Sequence, residues 1–118
     1  MKNLQEIQKE LIDRAISWGE AFSNGDYRNA NKQNSRIVKI ARKFQDDKAY
    51  SETVLIPLLA HSNPSVRLMA SVYALEFGIN TREAESILTT IAEDPNLRLI
   101  PMMARINLSN WKKRKEVN

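Results

Sequence analysis

Apolar residues recur every three or four positions along most of the chain, which places them on one face of an α-helix. In the first segment this face contains Leu4, Ile7, Leu11, Ala15, Trp18 and Phe22. Charged residues fill most positions in between, as in a helix whose other side faces water. Because the same spacing recurs in five later segments, the sequence predicts an all-α protein.

Capping and turn-forming residues divide the chain into predicted helices. Asn24-Gly25 is expected to end the first helix, because glycine readily adopts the left-handed conformation found after helix ends. Asp26 and Asn63 are candidate N-caps, and Asn80 with Glu83 has the spacing of a capping box. Six helices are therefore expected, at about residues 2–23, 26–44, 49–60, 64–77, 81–92 and 102–114.

Four prolines refine these boundaries. Pro57 lies inside the third helix, where it removes a backbone donor and is expected to bend the helix. Pro64 follows the Asn63 cap and suits the first position of the fourth helix. Asp94-Pro95 is predicted to repeat this cap-plus-proline arrangement, and Pro101 is predicted to interrupt the last helix.

The third to sixth helices contain an internal repeat. Residues 54–77 predict two apolar helices around a tight turn at His61-Ser62-Asn63-Pro64. Pro64-Ser65-Val66-Arg67-Leu68 aligns with Pro95-Asn96-Leu97-Arg98-Leu99 at an offset of 31 residues. Two matched helical hairpins are typical of a solenoid, in which antiparallel helix pairs stack on one another.

The apolar helix followed by Asn63-Pro64-Ser65-Val66-Arg67 resembles a HEAT repeat. This resemblance implies a short HEAT-like α-α superhelix built from antiparallel pairs. In HEAT repeats the matching arginine usually braces the turn, so the resemblance implies structural roles for Arg67 and Arg98.

The whole chain is also similar to a family of small bacterial HEAT-like proteins of unknown function. The resemblance implies a right-handed superhelix with no known catalytic site. Small helical proteins of this sort occur among bacterial toxin-immunity proteins, which makes that role a hypothesis. The similarity rests on Trp18-Gly19-Glu20-Ala21, Gly25-Asp26-Tyr27, Asn63-Pro64-x-Val66-Arg67, Ala74-Leu75-Glu76-Phe77 and Trp111-Lys112-Lys113.

Length and composition favour a single domain over residues 1–118, with a core of its own. The chain has no cysteine, which excludes disulfides, thiolate zinc sites and a cysteine nucleophile. Charges interrupt the first twenty residues, unlike a signal-peptide core, and no apolar run approaches the roughly 20 residues of a membrane span. We therefore expect a cytoplasmic protein with no membrane partner.

Candidate catalytic chemistry is sparse. His61 is the only histidine and lies in a polar turn, where a solvated side chain is the simpler interpretation. The acidic pairs Asp46-Asp47 and Glu93-Asp94 fall at helix boundaries, where capping explains them. The three glycines do not form a phosphate-binding loop. We expect no enzyme activity, no cofactor and no metal.

The distribution of positive charge leads to an alternative hypothesis, that the protein binds nucleic acid. The net charge is +4, with seven bases and three acids in residues 26–50 and five bases and one acid in residues 101–118. Lys32, Arg36, Lys39 and Lys43 share one face of the second helix, and Lys112-Lys113-Arg114-Lys115 forms a basic tail. Such rows can neutralise phosphates. Against this alternative, aromatic residues that could stack on bases are few.

A protein partner is the preferred hypothesis. Stacked helix pairs present a wall of inner-helix residues that suits another protein surface. Trp111 has a second interpretation, in which it covers the final apolar layer, whereas Trp18 is expected in the core. The candidate partner-binding residues, chosen for expected exposure or for lying outside the apolar stripes, are Arg36, Lys39, Lys43, Tyr50, Arg67, Ser71, Arg105 and Trp111.

Overall fold

The computed structural model describes residues 2–117, so Met1 and Asn118 of the predicted domain lie outside the described residues. Residues 2–117 form helices and connecting turns without a strand, which confirms the all-α prediction. Within this range no helix is both long and apolar enough to cross a membrane. The helices are α1 (Leu4–Ser23), α2 (Tyr27–Phe44), α3 (Lys48–Leu59), α4 (Pro64–Phe77), α5 (Thr81–Ala92) and α6 (Ile100–Val117).

Side-chain caps define the starts of four helices. The predicted caps are confirmed: Asp26 accepts a hydrogen bond from the Asn29 amide at 3.2 Å, and Asn63 accepts one from the Ser65 amide at 2.8 Å. Asn3 and Asp47 cap α1 and α3 in the same way. Each cap satisfies a backbone N–H that has no partner inside the helix. Gly25, with a φ of 78°, follows α1 as predicted.

The capping box predicted at the start of α5 does not form. Asn80 has a φ of 41°, in the left-handed region, and its side chain caps no backbone N–H of α5. Its amide nitrogen instead donates to the Glu83 carboxylate at 3.1 Å. A capping box needs an extended backbone at the cap residue, and the turn after Gly78 does not supply it.

The entry to α6 also differs from the prediction. The helix begins at Ile100, so Pro101 lies in the first turn, where the missing N–H costs no intrahelical bond. Asp94 accepts from the Asn96 amide at 2.9 Å and shapes a turn, so Asp94-Pro95 does not start a helix. The second half of the sequence repeat therefore adopts a different local structure from the first.

Arg98 connects the turn before α6 to the end of α1. Its backbone has a φ of 55°, and its guanidinium donates to the Ser23 carbonyl at 3.0 Å and to the Asn24 side chain at 3.2 Å. Arg98 is therefore structural, but it binds the end of α1 rather than its own turn.

Pro57 lies in the last turn of α3 and cannot donate to the Thr53 carbonyl four residues earlier. Gln8 of α1 supplies a replacement, because its side-chain amide donates to the Thr53 and Val54 carbonyls, each at 3.3 Å. This contact joins the first helix to the third.

Helix α4 lies at the centre of the packing and contacts α1, α3, α5 and α6. Its buried residues therefore point in several directions and include Val66, Leu68, Ala70 and Leu75. Ser71 is fully buried, with a relative exposure of 0 %, so the prediction that it is exposed is wrong. A single apolar stripe predicts that the opposite side of α4 is exposed to solvent, but neighbouring helices pack against that side as well.

Candidate binding groove

An open groove of about 850 Å³ runs between the first half of α1, the second half of α2 and the start of α3. Four of the predicted partner-binding residues line it: Arg36, Lys39 and Lys43 of α2, and Tyr50 of α3. The antiparallel α1–α2 hairpin creates this arrangement, because it sets the beginning of α1 beside the end of α2. We call this feature the basic groove.

The cations of α2 form one side of the basic groove. Arg36, Lys39 and Lys43 are exposed, as predicted, and their spacing places them on successive turns of one helix face. Among the described residues, no carboxylate oxygen lies within 4.0 Å of their charged nitrogens. These three positive charges are therefore available to a ligand.

The α1 side carries an ion cluster centred on Glu10. Lys2 forms a salt bridge with this carboxylate, and the Arg14 guanidinium lies 3.4 Å from its other oxygen. The hydrogen bond from Lys2 holds the pKa of the Glu10 carboxyl below its usual value, against the smaller opposing effect of burial. The cluster neutralises Glu10 and fixes Arg14, which also donates to Gln33 at 3.1 Å.

Two further carboxylates line the basic groove. Glu6 of α1 is exposed, and Asp47 precedes α3. Asp47 uses one oxygen to accept a hydrogen bond from the Tyr50 amide at 3.0 Å. The groove is thus cationic along α2 and mixed in charge along α1.

The floor of the basic groove is apolar. Ile7 and Ile40 are half-buried along it, and Phe44 is buried beneath. The rings of Phe44 and Tyr50 pack with their centroids 5.9 Å apart, and Phe77 meets Phe44 edge-on at 6.1 Å. This packing fixes Tyr50, whose half-buried ring borders the groove. An apolar floor beside exposed cations suits an amphipathic, acidic surface.

Arg67 lies outside the basic groove and braces a turn, as the HEAT resemblance implied. Its guanidinium donates to the carbonyls of His61 at 2.9 Å and Ser62 at 2.8 Å. The imidazole of His61 accepts a hydrogen bond from the Asn63 amide at 3.0 Å, so this histidine also belongs to the turn.

Arg105 and Trp111 lie on α6, likewise outside the groove. Arg105 donates to the Ala92 carbonyl at 2.9 Å. The half-buried Trp111 packs against the core and donates to Glu85 at 3.4 Å. Arg114 and Lys115 lie over its ring, 5.5 and 5.7 Å from the centroid. These contacts attach α6 to α5 and support the interpretation in which Trp111 covers the final apolar layer.

Sequence patterns did not identify the α1 contribution to the groove. Glu10 and Arg14 are predicted on the solvent-exposed side of the first helix, and the α1–α2 hairpin makes that side one wall of the groove. Within residues 2–117, no three acidic or histidine side chains are grouped so that they could hold a metal ion.

Comparison of the chain with protein-family models, with curated proteins and with solved structures finds no match. The resemblance to HEAT repeats, and the immunity role suggested alongside it, therefore stay predictions.

Proposed function

We propose that this protein is a non-enzymatic interaction module that binds an acidic segment of another protein in its basic groove. The observation that supports the proposal is the row of cations Arg36, Lys39 and Lys43, which form no salt bridge within residues 2–117, beside an apolar floor. The floor offers apolar area to bury on binding, and the cations select a partner of opposite charge.

The carboxylates of the groove favour a protein partner over a nucleic acid. Glu6 and Asp47 line the same groove as the cations, and neither carboxylate forms a salt bridge with a described residue. A phosphate backbone carries negative charge along its whole length, so it would meet these acids as well as the bases. A protein surface can place acidic side chains against α2 and basic or neutral side chains against α1.

Narrower predictions belong to the same proposal. A HEAT-like superhelix is supported by the packed antiparallel pairs α1–α2, α3–α4 and α5–α6 and by the Arg67 brace. An immunity protein that covers a toxin would be one module of this kind. A cytoplasmic location is also proposed.

Affinity capture from the native cell extract, followed by mass spectrometry, tests the proposal. The bait is the whole chain, compared with the groove variant Arg36→Ala/Lys39→Ala/Lys43→Ala. A matched control, Arg28→Ala/Lys32→Ala/Lys112→Ala, removes the same charge at exposed positions that do not line the groove. We expect a stoichiometric protein partner with the parent chain and the control, and its loss with the groove variant. Recovery of no such partner, or equal loss with both variants, would contradict the proposal.

Nucleic-acid binding is the second candidate, because the same exposed cations could contact phosphates. A filter-binding titration at two salt concentrations tests it directly. If three phosphates are contacted, the slope of log affinity against log salt should fall in magnitude by about 3 in the groove variant, with equal weakening for every sequence. Absence of binding by the parent chain at low salt excludes this candidate.

A further inference from the structure

The basic groove offers few partners to the backbone of an extended peptide. Residues 2–117 contain no strand, so no sheet edge borders the groove. No Asn or Gln, whose amide can both donate to and accept from a peptide unit, is among the described residues that line it. Its floor is formed by Ile7 and Ile40. An extended segment on this floor would bury N–H and C=O groups without partners, whereas a helix satisfies those groups internally.

The spacing of the cations on α2 also matches a helix. Along the axis of α2, Lys39 lies about 4.5 Å beyond Arg36, and Lys43 lies about 6 Å beyond Lys39. Acidic residues at i, i+3 and i+7 of a parallel helix, or at i, i+4 and i+7 of an antiparallel one, repeat these separations. Side chains on one face of a strand are about 6.7 Å apart, so three of them span about 13 Å instead of about 10.5 Å. The row of cations therefore fits three acids of a helix better than three acids of a strand.

The groove has the size of a short stretch of helix. A helix with its side chains is about 10 Å wide, and two turns of it are about 11 Å long, which corresponds to a volume of roughly 850 Å³. The groove has a volume of about 850 Å³. Two turns are also the distance from Arg36 to Lys43, so one such stretch can meet all three cations.

The carboxylates of the groove specify a second feature of its occupant. Glu6 of α1 and Asp47, which precedes α3, line the groove, and neither forms a salt bridge with a described residue. The third carboxylate, Glu10, is neutralised by Lys2 and Arg14. A segment that is acidic towards α2 and basic towards Glu6 therefore complements both sides of the groove.

We propose that the occupant of the basic groove is an amphipathic α-helix of a partner protein that lies alongside α2. One side of this helix carries three acids that pair with the cations of α2. The next face carries apolar residues that pack on Ile7 and Ile40, and the side towards α1 carries a basic residue near Glu6. The inference rests on the proposed function, because it names the structure of the acidic segment that the groove binds. An amphipathic helix in an apolar groove is a recurrent mode of peptide recognition.

Fluorescence anisotropy with designed peptides tests the helix. Two labelled peptides of about 20 residues, long enough to form helices, carry Glu at i, i+3, i+4 and i+7. Leu follows one flank of the Glu row in the first peptide and the other flank in the second, which covers both directions of binding. Lys and Ala fill the remaining positions. A third peptide has the same composition, with Glu and Leu alternating as in a strand.

We expect one of the two helical peptides to bind the parent chain about tenfold or more tightly than the alternating peptide, and to gain helical circular dichroism when bound. The groove variant should weaken this binding about tenfold or more, and the matched control should leave it unchanged. Arg36→Glu/Lys39→Glu/Lys43→Glu should instead bind the same peptide with Lys in place of each Glu, because the charges then attract again. Circular-dichroism melts should show that all variants fold.

Failure of this inference is distinguishable from failure of the proposed function. An alternating peptide that binds as tightly as the helical ones, and that still needs the three cations, overturns the helix but supports an acidic segment in the groove. No binding of either helical peptide, or binding that the groove variant does not weaken, overturns the inference as well. Affinity capture decides the proposed function separately, because a partner lost with the groove variant supports it whatever the structure of the bound segment.

Discussion

Gly19 determines how closely α1 can approach α4. A Cβ atom built at this position would lie 1.9 Å from the Ser65 hydroxyl oxygen and 2.8 Å from the Ser65 Cβ. The hydroxyl could rotate away, but the Cβ of Ser65 is fixed by the backbone of α4. Glycine inside a helix ordinarily costs about 1 kcal/mol relative to alanine, so the close approach explains its presence here.

We therefore expect Gly19→Ala to lower the free energy of unfolding by about 1–3 kcal/mol, because the clash outweighs the gain in helix propensity. Urea denaturation measures the change. Glu20→Ala, at the next and exposed position, is the control and should have little effect. An increase in stability for Gly19→Ala would show that the two helices can move apart at no cost.

Tyr73 gives a prediction for alkaline pH. Burial, helped by the charge of Glu76, raises the pKa of Tyr73 to about 12. In the unfolded chain a tyrosine ionises near pH 10. The unfolded state therefore loses this proton first, so the contribution of Tyr73 to stability is complete below about pH 10 and falls as the pH rises towards 12.

Tyr73→Phe should remove the part of the loss of stability at alkaline pH that comes from ionisation of Tyr73. Urea denaturation of the parent chain and the variant at several pH values between 9 and 12 is the measurement, and the difference in stability should change in favour of the variant as the pH rises. Phenolate absorbance should lose the component that titrates near pH 12. Parallel stability profiles for the two proteins would contradict the assignment.

At the scale of helices, local chemistry determined most of what could be predicted. Asp26 and Asn63 cap helices because the bond joins a side chain to an amide two or three residues away. Pro101 could lie inside a helix or in its first turn, and its own sequence neighbourhood does not decide between them. The contact of Arg98 with the end of α1 is tertiary, and the turn that it holds leads into α6 at Ile100.

Arg67 offers a test of the turn between α3 and α4. Arg67→Ala should lower the free energy of unfolding by about 1.5–3 kcal/mol, because it removes charge-assisted hydrogen bonds to the carbonyls of His61 and Ser62. Thermal and urea melts measure the loss. Arg82→Ala, which removes an exposed arginine from α5, should be close to neutral. An equal change in the free energy of unfolding for the two substitutions would show that Arg67 does not stabilise the turn.

At the scale of the whole molecule, the row of cations on α2 was predictable and the groove was not. Helical spacing alone placed Arg36, Lys39 and Lys43 on one face. The register of α1 against α2 decides that Lys2 and Arg14 join them, and a one-dimensional pattern contains no information on that register. Ser71 illustrates the same limit, since only the assembled fold shows that α4 is covered on both sides.

Burial of Val66 predicts the effect of a core charge. The residue is 0 % exposed, so Val66→Asp would leave an unpaired carboxylate in the core and should abolish the cooperative melt. Ile56→Asp is the control, because Ile56 is 37 % exposed. A Val66→Asp protein that melts cooperatively near the parent midpoint would contradict the packing.

The central position of α4 has a consequence for how the chain could be shortened. In a linear array of repeats each unit touches only its neighbours, so a terminal unit can be deleted and the remainder survives. Here Arg98, in the loop before the sixth helix, binds the end of the first helix, so the first and last helix pairs are also in contact. Deletion of residues 1–47 would remove the α1 surface that packs on α4 and the backbone carbonyl that Arg98 binds. The remaining four helices are therefore not expected to fold as an independent fragment.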